Sequence, residues 1–243
     1  MLEEVVRIAR QIRVKRYPQS AFAFVAGSFI RGEATAHSDI DLVVLFDKIA
    51  NAYRESFRAG SFPVEAFVHD PETLRYFMLE VDCASGIPAM PQMVKEGVVI
   101  PEPTVLSKQL KEFADSCLAA GPPDLTEDDR RNRRYEITDL VDDLRDSRSI
   151  DELIATGIRL YATLADYYLR SKGLWSAKGK FVPRVLKKTN PTFFERYRSC
   201  FNLLLQNGDP EAVIRLSEDI LEPDGGFLFE GYRLDAPLNW RRT

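Results

Sequence analysis

The 243-residue chain is 45% apolar, which suits one large or two modest domains with a sizeable core. Its formal charge of −4 argues against a broad nucleic-acid footprint, because contact with many phosphates needs a strongly basic surface. Three cysteines, Cys83, Cys117 and Cys200, stand far apart without a C-x-x-C spacing, and we read them as buried thiols of a cytoplasmic protein.

At the N-terminus Leu2, Val5, Val6, Ala9 and Ile12 recur at helical spacing, cations gather toward Arg16, and Tyr17-Pro18 ends the helix. Glu3, Glu4, Arg7 and Arg10 interrupt any signal-peptide core, and no run is long enough to cross a bilayer. Two apolar runs follow, Phe22–Ala26 and Ile40–Phe46, rich in β-branched and aromatic residues. Between them lie Gly27-Ser28, a polar loop, and Ser38-Asp39-Ile40-Asp41. This reads as strand, turn, strand.

Side chains alternate along a strand, so Asp39 and Asp41 project from one face. Two carboxylates in so small a volume either raise one pKa or take up a cation, and all-oxygen ligation favours a hard divalent ion such as magnesium. Gly27-Ser28 permits a tight turn whose amides and hydroxyl can cradle an anion.

The stretch 48–58 predicts a helix closed by Gly60, with Glu55 on it as a weaker acidic candidate. Phe62–Val68 then alternates as a third strand, on which Glu65 faces away from Val64 and Ala66 and could reach the same metals. Asp70 caps a helix from Pro71 whose apolar face is Leu74, Phe77, Met78 and Val81. Residues 83–92 read as irregular, and Val98–Ile100 as a short strand. The domain boundary is expected after Pro103, giving domains 1–103 and 104–243, the second helical throughout.

Within that second domain, a helix from about Thr126 presents Glu136, Asp139, Asp143 and Asp146 on one face. By itself that row reads as a salt-bridged, solvated surface. Ser149 and Glu152 cap a helix reaching about Lys172, and Asn190-Pro191 and Asp209-Pro210 start two more. Lys178-Gly179-Lys180 is either a solvated basic loop or a phosphate-binding one. Arg31 likewise either meets phosphate or ties its loop to a carboxylate, His37 and His69 read as solvated loop histidines, and the tail 224–243 shows no period.

Taken together, Gly27-Ser28, Arg31-Gly32 and Ser38-Asp39-Ile40-Asp41-Leu42 resemble the signature of the DNA polymerase β-like nucleotidyltransferase superfamily. The chain looks most like the aminoglycoside and kanamycin nucleotidyltransferase-like branch, in which such a domain precedes a helical one. The resemblance implies an α+β fold: a small mixed sheet flanked by helices, then an all-α bundle.

It also implies a metal-dependent transferase moving a nucleoside monophosphate, AMP from ATP, to a hydroxyl of a small, aminoglycoside-like acceptor. Asp39, Asp41 and Glu65 would hold Mg²⁺ or Mn²⁺, and Glu136, with Asp139 as second choice, would be the general base. Gly27, Ser28, Lys178 and Lys180 would bind the nucleotide. No membrane partner is expected, and a homodimer is compatible with the resemblance. Two alternatives stay open: a protein adenylyltransferase of the antitoxin type and a nucleotide-binding sensor without turnover.

Overall fold

The computed structural model describes residues 2–237 and 240 of the chain. It divides into two compact units, residues 1–122 and 123–243. The first is built on a five-stranded sheet of order β3-β4-β2-β1-β5, formed by β1 (Phe22–Ala26), β2 (Ile40–Leu45), β3 (Tyr53–Ala59), β4 (Phe62–His69) and β5 (Val98–Ile100). Only β2 and β4 run parallel among these pairs; the rest are antiparallel.

Helix α1 (Leu2–Arg16) lays Val5, Ala9 and Ile12 on Ala23, Val25, Ile40, Leu42 and Val44, so alternate residues of β1 and β2 fill one core. Phe22, Phe24, Val43 and Leu45 are buried on the other face, toward which α2 (Pro71–Tyr76) and α3 (Ala89–Glu96) pack. Strands covered on both faces are near-continuously apolar, which is why β1 and β2 stand out in the sequence.

Three expectations change. The predicted helix over 48–58 is largely β3, an edge strand in which Glu55, Phe57 and Ala59 turn inward while Arg54, Ser56 and Arg58 turn out. Gly60, expected to close that helix, has φ +62° in the two-residue turn joining Ala59 to Phe62. Positive φ at such a turn matches the twist of a hairpin. The irregular reading of 83–92 is replaced in part by α3, in which Pro91 occupies the first turn, where a missing N–H costs nothing. The expected boundary after Pro103 falls inside the first unit, because α4 (Val105–Ala120) packs on α3 and on the π-helical stretch Phe77–Cys83.

The second unit is helical: α5 (Glu127–Arg145), α6 (Ile150–Arg170), α7 (Phe181–Thr189), α8 (Pro191–Asn207) and α9 (Glu211–Leu221). Its core runs through Leu140, Leu144, Leu160, Leu164, Tyr197, Phe201 and Leu216. Thr126, Ser149 and Asn190 cap α5, α6 and α8 through their side chains. The last residues of the unassigned tail, 238, 239 and 241–243, lie outside the described residues.

Candidate functional site

Register brings three acids together. Asp41 pairs with Ala26 on one side and with Glu65 on the other, in the parallel β2–β4 ladder. Asp39 precedes β2 by one residue and shares Asp41's face. The turn that delivers it is closed by Ser38, whose hydroxyl accepts from the Thr35 N–H at 2.8 Å. One carboxylate oxygen from each of Asp39, Asp41 and Glu65 lies within 4.8 Å of the other two, and all three residues are half-buried. No other such group of metal-ligating side chains occurs among the described residues.

The turn at the end of β1 belongs to the same place. Gly27 has φ +83°, and a Cβ there would stand 1.9 Å from Asp41 Oδ2. Only glycine meets both demands: it tolerates the left-handed backbone, and it leaves room for the carboxylate. After it, the Gly27 carbonyl accepts from the Ile30 and Arg31 amides, at 3.1 and 3.2 Å, and the Ser28 carbonyl from Glu33 at 2.9 Å. Ser28 therefore sits, half-buried, at the start of a compact turn beside the acids.

A cation already stands at the edge of the cluster. Arg54, on the outward face of β3, places Nη2 2.5 Å from Glu65 Oε1, and its guanidinium lies 5.1 Å from the Phe67 ring. The sequence reading missed it because it sat inside the supposed helix. The signal that could have found it is the alternation of 53–59 followed by Gly60-Ser61. Glu55, on the same strand, points to the opposite face, where Tyr17 donates its hydroxyl at 2.6 Å and Arg16 forms an ion pair. The Arg16 hydrogen bond outweighs burial and holds the Glu55 carboxyl below its ordinary value. It is a structural acid.

Arg31 ties its loop down rather than standing open: it pairs with Glu96 at 2.5 Å and with Glu33 at 3.3 Å. His37 is exposed as expected. His69 is not, since it closes β4 in the interior with 4% exposure, edge-on to Phe77 and with Nδ1 lacking a hydrogen-bond partner. Burial lowers its pKa, against the pull of Asp70, and keeps the imidazole neutral. It lines a cavity of about 290 Å³ with Ala52, Thr73, Tyr76 and Phe77. Four residue steps along the strand, about 13 Å, separate His69 from Glu65, so this cavity belongs to the other end of the sheet.

The remaining expected residues are in the second unit. Glu136, on α5, is half-exposed and paired with Arg159 of α6 at 2.9 Å. Asp139 is exposed one turn on. Lys178 and Lys180 are exposed in the loop before α7, with the Lys180 ammonium 5.6 Å from the Phe181 ring.

Residues 6–84, the stretch from α1 through the three acids, match the family model described as nucleotidyltransferase domain. That match lies within the first unit. No protein of curated function matches the chain. Among solved structures, it is similar to a nucleotidyltransferase-like protein from Exiguobacterium sibiricum 255-15, with 18% identity and a TM-score of 0.41 over 92% of this chain and 74% of that one.

Within the first unit the donor set fits a hard divalent ion. Three carboxylates supply only oxygen, their spacing allows one ion to be shared, and the like charges repel unless a cation sits among them. No described helix is long and apolar enough to cross a membrane.

Proposed function

We propose that the protein transfers a nucleoside monophosphate, AMP from ATP, to a hydroxyl of a small acceptor of the aminoglycoside kind. The observation that carries this reading is the convergence of Asp39, Asp41 and Glu65 beside the glycine turn. Divalent ions held there supply neutralisation of phosphate charge and activation of an oxygen nucleophile. The Gly27-Ser28 turn offers amides and a hydroxyl to phosphate oxygens. The acceptor oxygen bonds to the α-phosphorus as the bond to the bridging oxygen breaks, and pyrophosphate leaves.

Glu136 takes the acceptor's proton, and Lys178 and Lys180 offset triphosphate charge, in this proposal. The free, buried thiols of Cys83, Cys117 and Cys200 fit the expected cytoplasmic setting.

The test is a screen of aminoglycosides, lincosamides and sugars for ATP-dependent mass gain and pyrophosphate release, with Asp39→Ala as control. Equal turnover by wild type and variant would remove the metal role. A labelled protein band in lysate, with every small acceptor inert, would move the reading to protein adenylylation. MgATP binding without pyrophosphate release from either source would move it to a sensor. Glu136→Gln is expected to lower kcat about 100-fold with KM little changed, as loss of a general base does.

A further inference from the structure

We propose that Arg54 is a built-in counter-ion of the acidic cluster: it holds Glu65 in the metal-free protein, yields it to the incoming divalent ion, and then pairs with substrate phosphate. The inference rests on the proposed nucleotidyl transfer and deepens it by assigning a residue outside the acidic signature.

Three observations carry it. Arg54 Nη2 contacts the Glu65 oxygen-bearing end at 2.5 Å, and Glu65 is one of the three acids whose oxygens converge within 4.8 Å. Guanidinium and metal therefore compete for one carboxylate. Second, the Glu65 side chain is only 27% exposed while Arg54 is 57% exposed, so the carboxylate is fixed in the cluster and the cation reaches it from solvent. A long side chain held from the solvent side can leave without repacking any core. Third, β3 is the sheet's edge, and register sets Ser56 opposite Glu65 and Arg54 opposite Phe67. The Phe67 ring, directly opposite, lies 5.1 Å from the Arg54 guanidinium, so a guanidinium released from Glu65 keeps a contact at the mouth of the site.

The chemistry follows from charge. Until a metal arrives, three carboxylates face one another, and one guanidinium lowers their repulsion. Once the metal neutralises Glu65, the guanidinium loses its partner just as an anionic polyphosphate needs one. Arginine suits both roles because its planar fork matches carboxylate and phosphate oxygens alike.

The test measures binding rather than turnover. Mn²⁺ affinity of the metal-free full chain is read by electron paramagnetic resonance, and affinity for a non-hydrolysable ATP analogue in saturating Mn²⁺ by calorimetry. Wild type, Arg54→Met and Arg58→Met are compared. Arg58 lies on the same outward face and hydrogen-bonds the Ser61 carbonyl, so it controls for loss of a nearby positive charge.

Arg54→Met is expected to bind Mn²⁺ about threefold more tightly, as removal of one competing exposed ion pair predicts, and the nucleotide about fivefold more weakly. Arg58→Met should change Mn²⁺ binding little. Unchanged Mn²⁺ affinity in Arg54→Met, an equal gain in Arg58→Met, or undiminished nucleotide affinity would each overturn the role of Arg54. Wild type that binds no Mn²⁺ would instead sink the metal reading itself, which keeps the two failures apart.

Discussion

Two acidic regions of this molecule use the same residue types to opposite effect. In the first unit, parallel pairing of β2 with β4 brings one carboxylate oxygen each of Asp39, Asp41 and Glu65 within 4.8 Å of the others. On α5, carboxylates are as dense in sequence, yet each has room and several have partners: Asp128 with Arg131, Glu136 with Arg159, Asp142 with Arg145. A helix spreads successive residues around a cylinder, whereas strand register stacks them on one face. Concentrated like charge calls for a cation among it; dispersed charge does not, so the proposed role of Glu136 is that of a single proton acceptor and not of a metal ligand.

The sharpest way to break that contrast is to neutralise one acid in each region. Asp41→Asn should lower nucleotidyl transfer by about three orders of magnitude, the scale of several kcal/mol of lost charge stabilisation. Asp143→Asn, on the exposed face of α5, should leave activity and stability as they are. Comparable losses in both variants, read by pyrophosphate release and thermal melts, would erase the distinction.

Next in size is Gly27→Ala. The substitution strains a backbone at φ +83° and drives a methyl into Asp41 Oδ2, so about 1–3 kcal/mol of stability should go. Mn²⁺ binding should weaken in parallel, because the carboxylate must move. Urea denaturation and metal titration on the same preparation check both. Gly179→Ala, in the loop before α7, tests the other region: its φ is +52°, but no heavy atom stands near its absent Cβ, so strain is the whole cost.

These two glycines show what the sequence could and could not reveal. The core strands β1 and β2, the acid pair and the caps at Asp70, Ser149 and Asn190 were legible because each rests on local chemistry: alternation, turn residues, a cap oxygen. Edge strand β3 was not. Its alternation of Glu55, Phe57 and Ala59 with Arg54, Ser56 and Arg58 is a weak signal, because those residues also suit a helix, and pairing with β4 tips the balance. Arg54 vanished with it. The burial of His69 was hidden too, because what covers it, Phe77, comes from a helix that folds back over the strand end.

That end of β4 provides a third, smaller effect. Asp70 caps α2 by accepting from Thr73 N at 2.8 Å and also holds the Ile49 N–H at 3.2 Å. Asp70→Ala should cost about 1–2 kcal/mol. Burial would raise the Asp70 pKa, but hydrogen bonds from Thr73 and Ile49 more than offset it and the net shift is downward. Its contribution is therefore present above the unfolded value and fades as pH falls through the folded one.

His69 acts in the same direction at higher pH. Its folded pKa lies below the ordinary value, so the unfolded chain takes the proton first as pH falls below about 6.5. Stability should decline from there until the folded imidazole also protonates. His69→Phe should flatten the slope between pH 6.5 and 5, as measured by chemical denaturation at each pH. An unchanged slope would mean that the decline belongs to other groups.

The smallest effect is the one that best separates the regions. Glu136 and Arg159 are joined at 2.9 Å, with side chains 41% and 65% exposed, so water screens them and two long side chains give up rotamer freedom to meet. A double-mutant cycle on Glu136→Gln and Arg159→Met should return a coupling of about 0.2–0.5 kcal/mol that vanishes in 1 M salt. The Arg54–Glu65 pair also has an exposed cation, but its carboxylate is only 27% exposed and has two like charges beside it. Its cycle, read through Mn²⁺ affinity, should keep more of its coupling in the same salt, because partly buried charges are screened far less than exposed ones. Equal salt sensitivity in the two cycles would mean that the acids at the sheet end behave as ordinary surface charge, and the convergence set by β2 and β4 would then carry no chemistry.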